Sequence, residues 1–240
     1  MKDLFDLSGK IALVTGGSRG IGEMIAEGFV SNGVRTYISS RKADACDATA
    51  ARLSERGECI SIPMDLSSME GIQSLVDQMG QREDRLDILV NNAGAVWGEP
   101  IEGFPESGWD KVMAVNLKSP FFLTQKLLPL LEKASSHEDP SRVINIGSID
   151  GLHVTDLPTF SYGPSKAGIH HLTRILAAHL ADRHINVNAI APGPFATKMM
   201  AHTLEVAGEA IIRRVPRKRI GEAADMAGAA IFWRRWRRVT

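Results

Sequence analysis

Short apolar runs alternate along this chain with longer stretches whose apolar positions recur at helical spacing. Ile11–Val14, Arg35–Ser39, Cys59–Pro63, Leu86–Val90, Arg142–Ile146 and Ile185–Ile190 read as buried strands, being brief, apolar and bounded by glycine, proline or asparagine. Ile21, Met24, Ile25 and Phe29 fall on one helical face, and Asn32-Gly33 supplies a stop signal. Further helices are predicted over Asp44–Glu55, Met69–Met79, Trp109–Leu131, Ala201–Ile212 and Glu222–Ala230. Another opens near Tyr162 and carries Ala167, Ile169, Leu172, Ile175 and Leu176. Trp97–Ser107 and Ser135–Pro140 read as loops.

Composition narrows the possibilities. The 240 residues are enough for one large domain, and 44% apolar with 23% charged is ordinary for a globular protein. The formal net charge is zero, so no global field recruits nucleic acid or an anionic membrane. Cys46 and Cys59 lack the spacing of a disulfide scaffold or zinc site. His153, His170, His171, His179 and His184 show no metal-ligand spacing and read as surface or helix-face residues. No metal is expected. The N-terminal residues do not resemble a signal peptide and no apolar run suits a membrane span, so the expected compartment is the cytoplasm.

The first strand runs straight into Thr15-Gly16-Gly17-Ser18-Arg19-Gly20-Ile21-Gly22 and then a helix. Strand, glycine loop and helix together suit a dinucleotide. Gly16 permits the tight turn, Gly20 admits a pyrophosphate to the backbone, and Gly22 lets helix and strand pack closely. The helix N-terminus offers N–H groups and a positive dipole to phosphate. At the end of the second strand, where an acidic residue would accept from a ribose 2′-OH, the chain has Ser39-Ser40-Arg41. Arg41 and Arg19 suit a 2′-phosphate, which favours NADPH over NADH; a merely solvated turn is the alternative. Asp65, followed by Leu66, either accepts a hydrogen bond from adenine or caps the next helix. Asn92-Ala93-Gly94 lets a cofactor pass close to backbone, although the asparagines could serve only the turn.

Tyr162 and Lys166 are four residues apart and meet on one face of a helix, with Pro164 in its first turn. An ammonium beside the phenol is expected to lower its pKa and allow proton exchange with an alcohol or ketone. Ser148 ends the fifth strand, placed to donate to a substrate oxygen or simply to complete a turn. Asn116 is a poor helix former inside a helix, four residues before Pro120, and is either a satisfied core amide or a site residue. Pro192-Gly193, with Thr197 beyond, could flank a nicotinamide, Thr197 binding its carboxamide. Arg213, Arg214, Arg217, Lys218 and Arg219 read as a solvated basic face.

Taken in order, Thr15–Gly22, Asn91–Gly94, Asn116, Ser148, Tyr162-x-x-x-Lys166 and Pro192-Gly193 resemble the short-chain dehydrogenase/reductase family over about Leu7 to Met226. Within it the chain is most similar to NADPH-dependent 3-oxoacyl-acyl-carrier-protein reductases, especially the branch linked to rhamnolipid synthesis, through Ile11–Gly22, Leu86–Gly94 and Arg142–Ser148. The resemblance implies an α/β fold: a doubly wound parallel Rossmann sheet of seven strands with helices on both faces, usually in a homotetramer. It implies Tyr162 as general acid, Ser148 as the group orienting the carbonyl, and Lys166 as the group lowering the tyrosine pKa and holding the nicotinamide ribose. Asn116 would anchor a water in the proton relay. Cofactor contacts are then expected at Gly16, Ser18, Arg19, Gly20, Ile21, Gly22, Ser40, Arg41, Asp65, Leu66, Asn92, Ala93, Gly94, Tyr162, Lys166, Pro192, Gly193 and Thr197.

The implied activity is reduction of a ketone to a secondary alcohol, above all a 3-oxoacyl to a 3-hydroxyacyl thioester. The alternatives are a sugar-acid or polyol dehydrogenase of the same family, or a homologue that binds cofactor but is inactive. The expected organisation is one domain over 1–230 followed by an atypical Arg/Trp-rich tail over 231–240, where the family's last strand is missing or altered.

Overall fold

The computed structural model describes residues 6–232. Among these residues six parallel strands form one open sheet: β1 (Ile11–Thr15), β2 (Arg35–Ser39), β3 (Cys59–Ser61), β4 (Ile88–Asn91), β5 (Ser141–Ile146) and β6 (Ile185–Ile190). Their order is β3-β2-β1-β4-β5-β6, so the winding reverses between β1 and β4. Loops leaving the carboxyl ends of these two central strands diverge there and open a crevice for ligand. In register, Leu13 of β1 lies between Tyr37 of β2 and Leu89 of β4.

Period-two alternation decides which helices lie on which face. Ala12, Val14, Ile38, Ile88, Val90 and Ile144 face one layer, formed by α1 (Gly20–Val30), α2 (Ala43–Leu53) and α8 (Ala223–Phe232). Ile11, Leu13, Tyr37, Leu89 and Val143 face the other, formed by α3 (Met69–Arg82), α5 (Ser119–Ala134) and α6 (Tyr162–Leu180). Every residue of β1 is buried, which explains why it reads as a continuous apolar run. Two further helices, α4 (Glu106–Met113) and α7 (Ala201–Arg214), lie beside the crevice-side loops in sequence.

Several boundaries differ from those expected. The third strand stops at Ser61, short of Pro63, which has no N–H to give to a neighbour. The single helix expected over Trp109–Leu131 is α4 and α5 joined by a wide π turn, Ala114–Lys118, with Asn116 at its centre. Pro120, at the start of α5, cannot donate to the carbonyl four residues back, and the wider turn accommodates that loss. The α3 cap is Ser68, whose Oγ accepts from Gly71 N–H at 3.1 Å; Asp65 instead accepts from Ser67 N–H, so the capping alternative for Asp65 fails. Of the expected tail, Ile231 and Phe232 still belong to α8, and 233–240 lie outside the described residues. No helix among the described residues is long and apolar enough to cross a membrane.

α8 crosses α1 at a point set by glycine. A Cβ on Gly28 would stand 2.6 Å from the Ala227 Cβ, too close for real carbons. Gly28→Ala should therefore lower stability by about 1–3 kcal/mol despite alanine's better helix propensity. Gly80 in α3 has nothing among the described residues within 4 Å of the same position. Gly80→Ala should raise stability by up to ~1 kcal/mol. Thermal denaturation of both variants checks the packing, and a stabilised Gly28→Ala would contradict it.

Candidate active site

The β1–α1 turn is shaped by two left-handed glycines, Gly16 (φ +65°) and Gly20 (φ +58°). It is also bolted to β4. Asn92 Nδ2 donates to the Thr15 and Gly16 carbonyls, and Thr15 Oγ1 accepts from the Asn92 and Ala93 N–H groups. Gly22 faces this bolt; a Cβ there would stand 2.4 Å from both Asn92 Nδ2 and the Gly16 carbonyl. Across the turn, a Cβ on Gly20 would stand 3.2 Å from Thr197 Cγ2, which brings the Pro192–Thr197 loop to the same mouth. No side chain among the described residues caps the α1 N-terminus, so its first N–H groups are left for an external acceptor.

This cradle fits a dinucleotide: narrow glycine backbone, uncapped helix dipole and small residues at Ala93-Gly94. The 2′ end fits as well. Gly17 N–H donates to Ser39 O and Thr49 Oγ1 donates to Ser18 O, joining the glycine loop to the β2 end and to α2. Arg19 and Arg41 project from these joined loops, both exposed and in no ion pair among the described residues.

Tyr162 is the first residue of α6, and Lys166 follows one turn later. The Ser148 hydroxyl hydrogen-bonds the Tyr162 side chain. Ser148 Oγ also accepts from Asp150 N–H at 3.1 Å. Lys166 is 5% exposed; its Nζ donates to the Ile146 carbonyl at 2.7 Å and lies 5.6 Å from the Tyr162 ring centroid. Gly94 borders this group, since a Cβ there would stand 3.9 Å from Lys166 Nζ. Asn116, Ser148, Tyr162, Lys166 and Gly94 thus surround one space at the carboxyl ends of β4 and β5.

One expectation changes. Tyr162 is not pulled toward neutrality. Burial raises its pKa above the ordinary phenol value; the Ser148 hydrogen bond opposes this and the Asp150 charge reinforces it. The Asn116 side chain is engaged within the protein. Its Oδ1 accepts from Ala95 N–H, and its Nδ2 donates to the Ala95 carbonyl and to Ser165 Oγ, at 2.8, 2.9 and 3.0 Å. The amide ties the π turn to the loop after β4 and to the first turn of α6.

Other residues here escaped sequence reasoning. Ser165 is fully buried and passes the Asn116 contact on to the Tyr162 carbonyl at 2.7 Å. Asn145, also fully buried, accepts from Asn91 Nδ2 and donates to Thr173 Oγ1 beneath the site. His170, expected on the surface or a helix face, lies on the α6 face, half-buried against Gly147 and Ser148. Its spacing from Lys166 and Tyr162, four and eight residues, was the available signal.

Comparison with known proteins agrees with this geometry. The model of the short chain dehydrogenase family matches residues 10–207. A rhamnolipid-biosynthesis 3-oxoacyl-[acyl-carrier-protein] reductase of Pseudomonas aeruginosa is 50% identical over 96% of this chain and 91% of its own length. The 5-keto-D-gluconate 5-reductase of Escherichia coli is 32% identical over 97% of this chain and 91% of its own. Among solved structures, the P. aeruginosa RhlG/NADP active-site complex superposes with a TM-score of 0.95 at 49% identity, covering 98% of this chain and 93% of that one.

Burial holds the Lys166 ammonium down to about 8, against ~10.4 in an unfolded chain. Between those values the unfolded chain binds more protons than the folded one, so the contribution of this group to stability rises with pH. Below that window the full penalty is present. The stability difference between Lys166→Met and the parent should therefore move in the parent's favour by on the order of 3 kcal/mol between pH ~7 and ~10.5. Urea denaturation across that range measures it, and a pH-independent difference would show that the amine is not desolvated.

Proposed function

The chain belongs to the short-chain dehydrogenase family, and on that premise we propose that it is an NADPH-dependent reductase converting a ketone to a secondary alcohol, with a 3-oxoacyl thioester as substrate and a 3-hydroxyacyl thioester as product. The observation that carries this reading is the pair of hydroxyls, Ser148 and Tyr162, hydrogen-bonded to each other above a buried lysine at the edge of a dinucleotide cradle. The choice of substrate is supported by half-identity with the P. aeruginosa 3-oxoacyl reductase.

NADPH, when bound, supplies the hydride that the carbonyl carbon receives. As that bond forms, the two carbonyl electrons move to oxygen, and Tyr162 delivers the proton that completes the alcohol. Ser148 meets the developing oxyanion: its Oγ accepts from Asp150 N–H, and its hydroxyl proton, directed here at the Tyr162 oxygen, would turn to the substrate oxygen. Burial that keeps the phenol protonated suits an acid. Lys166 supports the phenolate that remains after transfer and, in this reading, the nicotinamide ribose. Asn116 enters through its main chain: with Pro120 opposite, its carbonyl lacks the usual i+4 donor and is the group we assign to a relay water. Gly16, Ser18, Gly20, Ile21 and Gly22 would hold the pyrophosphate side, Arg19, Ser40 and Arg41 the 2′-phosphate, Asp65 and Leu66 the adenine, and Asn92–Gly94, Pro192, Gly193 and Thr197 the nicotinamide half.

The single domain over 1–230, cytoplasmic residence and assembly as a homotetramer complete the proposal; the last rests on the family alone, and light scattering tests it. A keto-sugar-acid substrate is the second reading, favoured by the likeness to 5-keto-D-gluconate 5-reductase.

Tyr162→Phe should lower turnover of an acetoacetyl thioester at least ~10²-fold with little change in NADPH affinity. Full activity in that variant would end the mechanism, and faster reduction of 5-ketogluconate than of acyl thioesters by the parent would shift the substrate class. The parent should also prefer NADPH to NADH by about tenfold or more, the worth of one charge-assisted contact, and Arg41→Ala should erase most of that margin. A tenfold preference for NADH would refute the arginine assignment.

A further inference from the structure

His170 lies on the α6 face that also carries Tyr162 and Lys166. Its ring occupies the space beside Gly147, where a Cβ would stand 2.2 Å from His170 Cε1; glycine at 147 is what admits the imidazole. Nε2 is 3.0 Å from the Ser148 carbonyl and 3.5 Å from the Ser148 N–H. One nitrogen cannot donate and accept at once, and the shorter contact to a carbonyl assigns the proton to Nε2. Neighbours of Ser148 are tied in the other direction, toward β6 and the loop after it: Gly147 N–H donates to the Ile190 carbonyl at 2.8 Å and Ile149 N–H to the Pro192 carbonyl at 3.2 Å. Ser148 thus sits on a turn clamped from two sides, and the α6 clamp is this imidazole.

We propose that His170 is a positioning residue that holds the Ser148 carbonyl through its Nε2–H and thereby fixes the distance between the Ser148 and Tyr162 hydroxyls. The consequence is geometric. Tyr162 is built on α6, whereas Ser148 is built on the end of β5; without a strut at Ser148 itself, the spacing between the two donors depends on the Lys166–Ile146 tie two residues back and on the turn that follows it. With His170 in place, both donors are referred to one rigid helix. A misplacement of about 1 Å at such a pair costs up to about 10²-fold in rate. This inference rests on the reading of Ser148 and Tyr162 as the donors that meet the substrate oxygen.

The test compares His170→Leu with His170→Gln, whose side-chain amide N–H reaches about as far as Nε2. His170→Leu should lower kcat about tenfold with NADPH Kd unchanged, and His170→Gln should recover most of that loss, since only the donor has been restored. Should the leucine variant fail to fold, His170→Phe fills the same space without a donor. Full kcat in the donor-free variant, or equal losses in the leucine and glutamine variants, overturns the proposal. The same change is then made in a Ser148→Ala background. If His170 acts through Ser148, it costs little further there; an undiminished tenfold loss in that background rejects the proposal while leaving the donors' role intact. A fully active Ser148→Ala enzyme instead defeats the reading of the site itself, and the inference falls with it.

Discussion

One polar seam sets the geometry of this molecule: the contact between one face of α6 and the carboxyl end of β5. Lys166 Nζ reaches the Ile146 carbonyl, His170 Nε2 the Ser148 carbonyl, and Thr173 Oγ1 accepts from Asn145 Nδ2, at 2.7, 3.0 and 2.9 Å. Positions 166, 170 and 173 follow the i, i+4, i+7 stripe that an ordinary helix would fill with leucine. Apolar side chains tolerate a helix that slides or rotates a little; buried donors do not, because each misplaced group is left without a partner in a poorly solvated place. The seam therefore selects one register of α6 on the sheet. Tyr162, at the open end of the helix, inherits its position from that register.

A second bolt holds the cofactor side of the crevice. Thr15 and Asn92 cross-link the ends of β1 and β4, where the order of the sheet reverses and the following loops diverge. The Asn91–Asn145–Thr173 chain continues from β4 into the α6 seam, so the two bolts share a buried polar layer. Asn116 and Ser165 close the remaining side by joining the π turn to the Tyr162 carbonyl. The glycine loop, the tyrosine helix and the π turn are thus referenced to one another through side-chain hydrogen bonds, while the apolar cores lie on the two faces of the sheet.

Much of this was legible in the sequence, for reasons that particular residues make plain. The strands were readable because both faces of the sheet are covered, which makes each of them uniformly apolar, as in Ile11–Val14. The glycine loop was readable because left-handed backbone and close approach exclude other residues at Gly16, Gly20 and Gly22. Tyr162 and Lys166 were readable because helical spacing is local. The roles of Asn116, Asn145 and His170 were not. Each depends on a partner far along the chain, at Ala95, Asn91 and Ser148, and one chain carries no record of such pairings. The rise of the Tyr162 pKa was not legible for a related reason: spacing shows that a lysine is near, but not that its ammonium is engaged by a carbonyl or how far the phenol is buried.

Burial acts on the two central groups with opposite signs in pKa and the same sign in energy. It raises Tyr162 and holds Lys166 down to about 8, because water-poor surroundings disfavour phenolate and ammonium alike. A phenol kept protonated is a donor in waiting, and an amine still charged at neutral pH is near enough to support the anion left once the proton has gone. Neither property could be had on the surface, where water would return both groups to their ordinary values. Holding both groups there costs free energy, tolerable because the Ile146 carbonyl takes the ammonium, the Ser148 hydroxyl bonds the phenol, and two apolar layers on either side of the sheet carry the fold. Substitutions that relieve this region should make a sturdier protein and a poorer acid.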